Sequence, residues 1–183
     1  MEVWDVYDEY RQITGKIVKR GEKLEPREFH LVVHVCLFNT KEEMLIQKRH
    51  PAKDIFPNRW DVTVGGSAHA GETSQEAATR ELFEEIGLHL DLSGIRPHIT
   101  MNFESGFDDF YLIIKDLNIS NLQLQVEEVQ EVKWANKKEI ERMIDTKDFC
   151  PYHKEIISML FAIRNTYGVI SDNDGVSLDR IRE

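Results

Sequence analysis

The stretch "WDVTVGGSAHAGETSQEAATRELFEEIGL", Trp60 to Leu88, constrains this chain more than any other. Its first part reads as a short strand that ends at the paired glycines Gly65 and Gly66. Thr73 followed three residues later by Glu76 forms a capping box, in which each residue satisfies a backbone amide left orphaned at a helix start. Ala77, Ala78, Leu82 and Ile86 then recur at helical spacing and predict a core-facing stripe. Gly87 ends the helix, because glycine takes the left-handed C′ conformation without steric cost. An amphipathic helix fed by a strand needs a sheet to cover, so the segment argues for α/β packing.

The flanking segments supply that sheet. "EVWDVYDEYRQITGKIVKRG", from Glu2 to Gly21, predicts an N-terminal hairpin over about residues 2–20 with its turn near Arg11 to Gly15. His30 to Asn39 is rich in β-branched residues and predicts a buried strand, with Met44 to Arg49 returning as its partner. "HPAKDIFPNRW" reads as a loop, and Trp60 to Gly66 as one short strand. "IRPHITMNFES" and "FDDFYLIIKD" predict a second hairpin turned near Ser105 and Gly106, and "VQEVKWAN" a further strand. Asn136 with Glu139 predicts a capped helix over about Lys137 to Asp145. Pro151 suits the first turn of a last helix reaching about Tyr167, and a polar tail follows over about residues 170–183. The expectation is one domain over residues 1–183, an αβα sandwich around a mixed sheet.

The helix after Thr73 carries the chemistry. Helical geometry stacks Glu81 on Glu85 and sets Glu84 one step round the same side, opposite the Ala78, Leu82 and Ile86 stripe. Arg80 stands four residues before Glu84, within reach of an ion pair. Three clustered carboxylates either form a solvated face or bind a hard cation such as Mg²⁺, which prefers carboxylate oxygen and shares its shell with phosphates. Glu72, just ahead of the helix, adds a fourth carboxylate, and the Gly65-Gly66 backbone adds amides at the same edge. The net charge of −10 makes phosphate-driven binding of a nucleic acid duplex or an anionic membrane unfavourable, but bridging metal ions allow a small anionic substrate.

Gly66, five residues, Glu72, seven residues, then Arg80-Glu81-Leu82-Phe83-Glu84-Glu85-Ile86-Gly87-Leu88 resembles the Nudix box over residues 66–88 at every fixed position. The resemblance implies a Nudix-type αβα sandwich and Mg²⁺- or Mn²⁺-dependent hydrolysis of a diphosphate linkage in a nucleoside diphosphate derivative or similar small diphosphate. It implies metal binding by Glu81, Glu84 and Glu85 with help from Glu72, and catalytic roles for Glu84, Glu85 and Arg80, the last by orienting the glutamates. Metals would neutralise the diphosphate and lower the pKa of an attacking water, and a carboxylate would accept the proton. Glu85 is a candidate base. So are the downstream Glu104, Glu127 and Glu128, for which surface charge is the alternative reading.

The flanks are similar to the isopentenyl-diphosphate isomerase-like branch of the family. Arg49 and Lys53 match basic residues that grip diphosphate there, and the Gly66 backbone would approach the substrate. The isomerases carry a cysteine, a glycine, a histidine and a proline where this chain has Gly65, Gly66, Ser67 and Ala68. Without that protonating cysteine and metal histidine, hydrolysis is the leading reading, with isopentenyl-diphosphate isomerase or a non-catalytic nucleotide or diphosphate sensor as alternatives. His30 and His34 lie on one strand face roughly 13 Å apart, too far to share an ion, and read as structural or pocket residues. His69, in the box loop, is either a phosphate contact or an exposed side chain. Phe56, Trp60, Phe103, Phe107 and Tyr111 include candidates for stacking on a base, though strand aromatics more often fill cores.

Two cysteines, Cys36 and Cys150, are too few for a disulfide framework. The acidic start "MEVWDVYDEY" is unlike a signal peptide, and the apolar runs are short for a membrane span, so the expected compartment is cytoplasmic. Related proteins often form homodimers, which leaves a homodimer open for this chain.

Overall fold

The computed structural model describes residues 2–168, and the polar tail expected over about 170–183 lies outside them. Strand β1 (Val3–Tyr7) pairs antiparallel with β2 (Ile13–Lys19) in a separate two-stranded sheet. The main sheet contains β3 (His30–Phe38), β4 (Met44–Arg49), β5 (Trp60–Asp61) and β6 (Val64–Ser67). Helix α1 (Ser74–Ile86) follows, then β7 (Ile99–Phe103), β8 (Gly106–Ile114) and β9 (Val129–Ala135). Helices α2 (Lys137–Asp145) and α3 (Lys154–Ile163) complete the described chain. The sheet runs β5-β4-β3-β8-β7, with β6 against β3 and β9 against β4. β3 and β8 pair in parallel, from His30 beside Gly106 to Phe38 beside Ile114, while the other strand pairs described are antiparallel, so the sheet is mixed.

Alternation along β3 builds a core on each face. Leu31, Val33, Val35 and Leu37 pack with Ala77, Ala78, Leu82 and Ile86 of α1. Cys36 and Phe38 pack on the other face with Ile140 and Met143 of α2 and with Ile157, Leu160 and Phe161 of α3. These layers are the αβα sandwich the sequence predicts. Among the described residues no helix is long and apolar enough to cross a membrane.

Local signals translate faithfully into α1. The Thr73 hydroxyl accepts from the Glu76 amide at 3.2 Å, and the Glu76 carboxylate accepts from the Thr73 amide at 2.8 Å. Gly87 closes the helix at φ 68°, and its N–H donates to the Phe83 carbonyl at 2.9 Å.

Four expectations need correction. The first hairpin turns at Asp8 to Gln12, where Asp8 Oδ1 accepts from the Tyr10 and Gln12 amides, both at 2.9 Å. Gly15 instead lies within β2. β4 returns antiparallel to β3 as expected, but not along its length. It meets β3 only at Phe38 and Met44 and pairs mainly with β9, from Met44 beside Ala135 to Arg49 beside Val129. Trp60 to Gly66 is two strands, because β5 bonds to β4 and β6 bonds to β3. Pro151 precedes α3 rather than sitting in its first turn, His153 takes the N-cap position, and the helix stops at Ile163, short of Tyr167.

The β1–β2 hairpin is stitched to the box loop and the sheet. Ala70 N–H donates to the Val3 carbonyl at 2.8 Å, and Gly71 N–H donates to Asp5 Oδ2 at 2.7 Å. Arg11, in the turn, pairs with the fully buried Asp109 of β8. Thr100 and Ser74 hydroxyls each donate to the same carboxylate at 2.6 Å, and Tyr111 O–H donates to Ser74 at 2.7 Å. One buried carboxylate thus ties hairpin, sheet and the first turn of α1 together.

Candidate active site

The site forms where β6 crosses α1. Helix α1 does not present its glutamates to solvent as a single outward face. Glu81 and Glu85 are 9% and 7% exposed, while Glu84 is exposed. For Glu81 the cover is Gly66. A Cβ placed on Gly66 would come within 2.1 Å of Glu81 Oε1, so any larger residue there would displace the carboxylate. The wheel position opposite the core stripe is therefore also buried, Glu81 against glycine backbone and Glu85 against the Gln47 side chain of β4.

Arg80 organises the carboxylates. Nε donates to Glu72 Oε1 at 2.7 Å, and Nη2 donates to Glu72 Oε2 at 2.9 Å and to the Ser67 carbonyl at 3.0 Å. Nη1 donates to Glu81 Oε1 at 2.8 Å and to Glu84 Oε2 at 2.9 Å. These bonds use all five guanidinium donors. Burial disfavours the Arg80 charge, but the Glu72 hydrogen bond and the Glu81 charge outweigh it and raise its pKa. Burial likewise opposes ionisation of Glu72, and the Arg80 and His69 hydrogen bonds override it, so its pKa is lowered.

Glu81 and Glu85 differ from Glu72. Burial raises the pKa of Glu81 despite the neighbouring Arg80 charge. Burial, reinforced by the Glu81 charge, pushes Glu85 up to about 8 against the opposing Gln47 hydrogen bond. Gln47 Nε2 donates to Glu85 Oε2 at 2.7 Å, and its own Oε1 is buried without a partner.

These groups line a cavity of about 140 Å³. Its walls bring together Gly66, Arg80, Glu81, Glu84, Glu85 and Lys53 from the sequence-predicted set, along with His69. Glu72 stands behind Arg80. Of the three downstream base candidates, Glu128 lines the cavity, paired with Lys53. Glu104 lies at the β7–β8 turn on a different hollow, and Glu127 is exposed. Arg49 is outside the lining. Its Nε donates to the Ile55 carbonyl at 3.0 Å and its Nη1 to Asp61 Oδ2 at 3.2 Å, which braces the proline-containing loop.

Glu2, Arg20, Gln47 and Gln125 were not legible as site residues. Arg20 Nη1 donates to Glu2 Oε2 at 2.7 Å across the hairpin, and both line the cavity. Their only sequence signal was charge at the two ends of the hairpin. Gln47 had one, since it sits on a buried strand where a polar side chain needs a partner.

The histidines are packed. His30 stacks on Trp4 with ring centroids 4.5 Å apart, and His34 stacks on Phe110 at 4.6 Å while its Nε2 lies 3.0 Å from Asp108 Oδ1. His69 is partly exposed, with Nε2 3.9 Å from Glu2 Oε1 and Nδ1 4.0 Å from Glu72 Oε1. Phe107 and Tyr111 belong to the α1-side core, Trp60 packs against the other, Phe103 meets His30 edge-on, and Phe56 is exposed beneath Arg59. Cys36 and Cys150 are buried free thiols whose pKa values are raised by burial, and neither lines the cavity.

The donor set fits a hard divalent cation. It consists of oxygens, two of its carboxylates are buried, and a cation there would offset the desolvation that raises Glu81 and Glu85. As the side chains stand, no three acidic, histidine or cysteine groups among the described residues close on one point. Arg80 holds one oxygen each of Glu81 and Glu84, so ligation by both would use their other oxygens.

Comparison with known proteins agrees with this architecture. The NUDIX domain family model matches residues 28–159. An uncharacterized Nudix hydrolase of Listeria monocytogenes is 48% identical over 165 residues, covering 90% of this chain and 96% of that protein. Nudix hydrolase 3 of Arabidopsis thaliana is 31% identical over 166 residues, covering 82% of this chain and 22% of that longer protein. The crystal structure of DR0079 from Deinococcus radiodurans superposes with a TM-score of 0.72 at 24% identity, covering 87% of this chain and 99% of that one. That likeness concerns the fold.

Proposed function

The chain belongs to the Nudix family and is a hydrolase of phosphorus-containing anhydrides, and on that premise we propose that it is a Mg²⁺- or Mn²⁺-dependent pyrophosphohydrolase of a small diphosphate compound. The observation that carries this reading is the buried Glu81–Glu85 pair, lining one cavity with the Gly65-Gly66 backbone and bordered by a fully engaged Arg80. Few soluble proteins keep two adjacent carboxylates so far from water without a cationic partner for each.

In the proposed reaction, Glu81, Glu84 and Glu85 would hold the cation, while Arg80, itself anchored on Glu72, fixes Glu81 and Glu84 directly and Gln47 fixes Glu85. A bound divalent ion supplies charge neutralisation of the diphosphate and a water of lowered pKa. Lys53 and Arg20, on the cavity wall, meet phosphate oxygens as those oxygens displace Glu128 and Glu2 from their ion pairs. Glu85 or Glu128 accepts the proton from the attacking water, both being within the cavity lining. An isomerase reading finds no support in the lining, which contains no thiol to protonate an alkene.

The test is a product-release screen over nucleoside diphosphate derivatives, dinucleoside polyphosphates and prenyl diphosphates. Phosphate or phosphomonoester release that requires Mg²⁺ or Mn²⁺ and stops on chelation is the expected outcome. Tight binding of a diphosphate with no turnover would favour a sensor, and allylic product from isopentenyl diphosphate would favour the isomerase.

A further inference from the structure

Gln47 is out of character with its strand. Leu45 and Ile46 beside it in β4 are fully buried and apolar, and Gln47 itself is 3% exposed with its Oε1 buried and unpartnered. An acceptor sealed from water without a donor is unfavourable, so packing alone would put an apolar side chain there. The other end of the amide accounts for it. Gln47 Nε2 donates to Glu85 Oε2 at 2.7 Å, and among the described residues Glu85 has no other side-chain donor. The strand gives this bond a fixed base, because Gln47 stands opposite Asp61 of β5 on one side and Val132 of β9 on the other.

Arg80 does the same for the two other glutamates. Its Nη1 takes Glu81 Oε1 and Glu84 Oε2, and its remaining donors are spent on Glu72 and the Ser67 carbonyl. Each of the three carboxylates therefore has one oxygen tied to the protein. Among the described residues no hydrogen bond reaches the second oxygens, Glu81 Oε2, Glu84 Oε1 and Glu85 Oε1. A glutamate held in this way offers a cation one oxygen and not two. The side chains also do not close, three together, on one point. Mg²⁺ suits such a site, since it keeps several of its waters and takes few carboxylates directly in an octahedral shell. Ca²⁺ gathers about six to eight oxygens and draws on carboxylates that give both.

Resting on the hydrolase reading, we propose that Gln47 is a positioning residue that sets which cation the site accepts. By holding Glu85 Oε2 it limits Glu85 to one ligating oxygen, as Arg80 limits Glu81 and Glu84, and the site discriminates against Ca²⁺ in favour of Mg²⁺. Gln47 does not line the cavity and acts through Glu85.

The test compares the parent with Gln47→Met, which fills the strand position with an unbranched side chain and no donor. Each protein is titrated by calorimetry with Mg²⁺ and with Ca²⁺ in the presence of methylenediphosphonate, whose own cation binding is common to both. Gln47→Met is expected to weaken Mg²⁺ binding by roughly tenfold or more. Ca²⁺ binding should weaken by less than about threefold, because the freed Glu85 can give it a second oxygen. The ratio of the two affinities thus moves towards Ca²⁺. A residue that merely supported the fold would weaken both cations alike, and an unchanged ratio would overturn the proposal. Should the variant fail to fold, infrared difference spectra of the parent decide. The gap between the two carboxylate stretching bands is wide when one oxygen ligates and narrow when both do. Mg²⁺ is expected to produce only the wide gap in the parent, and a narrow one would overturn the proposal. The hydrolase reading fails separately. If the ratio shifts as expected but no diphosphate compound is cleaved, the role of Gln47 stands and the reaction does not. If diphosphates are cleaved with Mg²⁺ and the ratio does not move in Gln47→Met, the reverse holds.

Discussion

Asp109 and Glu85 are both buried carboxylates, and the contrast between them separates what holds this molecule together from what it does. Asp109 is fully buried and accepts from Thr100, Ser74 and the Arg11 guanidinium, so its charge is matched and its lone pairs are largely spoken for. Glu85 is nearly as buried, yet the donor it has is the neutral Gln47 amide, whose own oxygen lacks a partner, and Glu81 adds a second negative charge beside it. A buried charge with a full set of partners is a lock. One with a partial set is destabilising unless something arrives to complete it. We take the second to be the reacting end of the molecule and the first to be the clamp that presents the hairpin to it.

The comparison breaks most visibly in activity. Glu85→Gln is expected to cut kcat/KM on the best substrate by about 10²–10⁴-fold, with circular dichroism unchanged, and Glu84→Gln is expected to behave similarly. Variants that turn over like the parent would remove both residues from the site. Next in size is the clamp. Arg11→Ala leaves Asp109 buried without its cation and should cost about 2–4 kcal/mol, a fall in Tm of roughly 6–12 °C for a chain of this length. No change in thermal unfolding would show that the hydroxyl partners suffice.

The third outcome concerns pH. The folded metal-free protein keeps a proton on Glu85 up to about pH 8, whereas the unfolded chain releases it near 4.5. Between those values the folded state binds more protons, so stability falls as pH rises through the window. Glu85→Gln removes that dependence and should melt roughly 5 °C higher than the parent at pH 8 without metal. Parallel pH profiles for the two proteins would contradict the assigned environment. The smallest effect serves as a control. Thr73→Ala removes a helix cap that bonds neither carboxylate and should lower Tm by roughly 2–4 °C, with activity retained within about threefold.

What the sequence showed depended on the range of the signal. Both ends of α1 were legible, because Thr73, Glu76 and Gly87 act through neighbouring backbone groups. The αβα layering followed from the order of strands and helices, and the box followed from its fixed spacing. Burial of Glu81 and Glu85 was missed because a helical wheel reports the stripe, not what covers the opposite side; the covers are Gly66 for Glu81 and Gln47 for Glu85, both outside the helix. The β4–β9 pairing joins Met44 to Ala135, and nothing local to either strand encodes so distant a partner. The first hairpin was misplaced because Gly15 drew the turn towards itself. The Asp8 side chain makes the turn and Arg11 takes the left-handed conformation there, at φ 60°. The places of Arg20 and Glu2 in the cavity wall arise from docking of that hairpin against the box loop, a tertiary event with no short motif.

The most direct measurement of the central claim is calorimetric titration of Mg²⁺ or Mn²⁺, with a non-hydrolysable diphosphate present, into the parent and Glu85→Gln at pH 7 in buffers of different ionisation enthalpy. Cation uptake by the parent is expected with release of close to one proton, because the Glu85 carboxyl is protonated at that pH until a cation displaces its proton. In Glu85→Gln both the uptake and the proton release should weaken sharply. Equal uptake in the two proteins, or none in either, would contradict it.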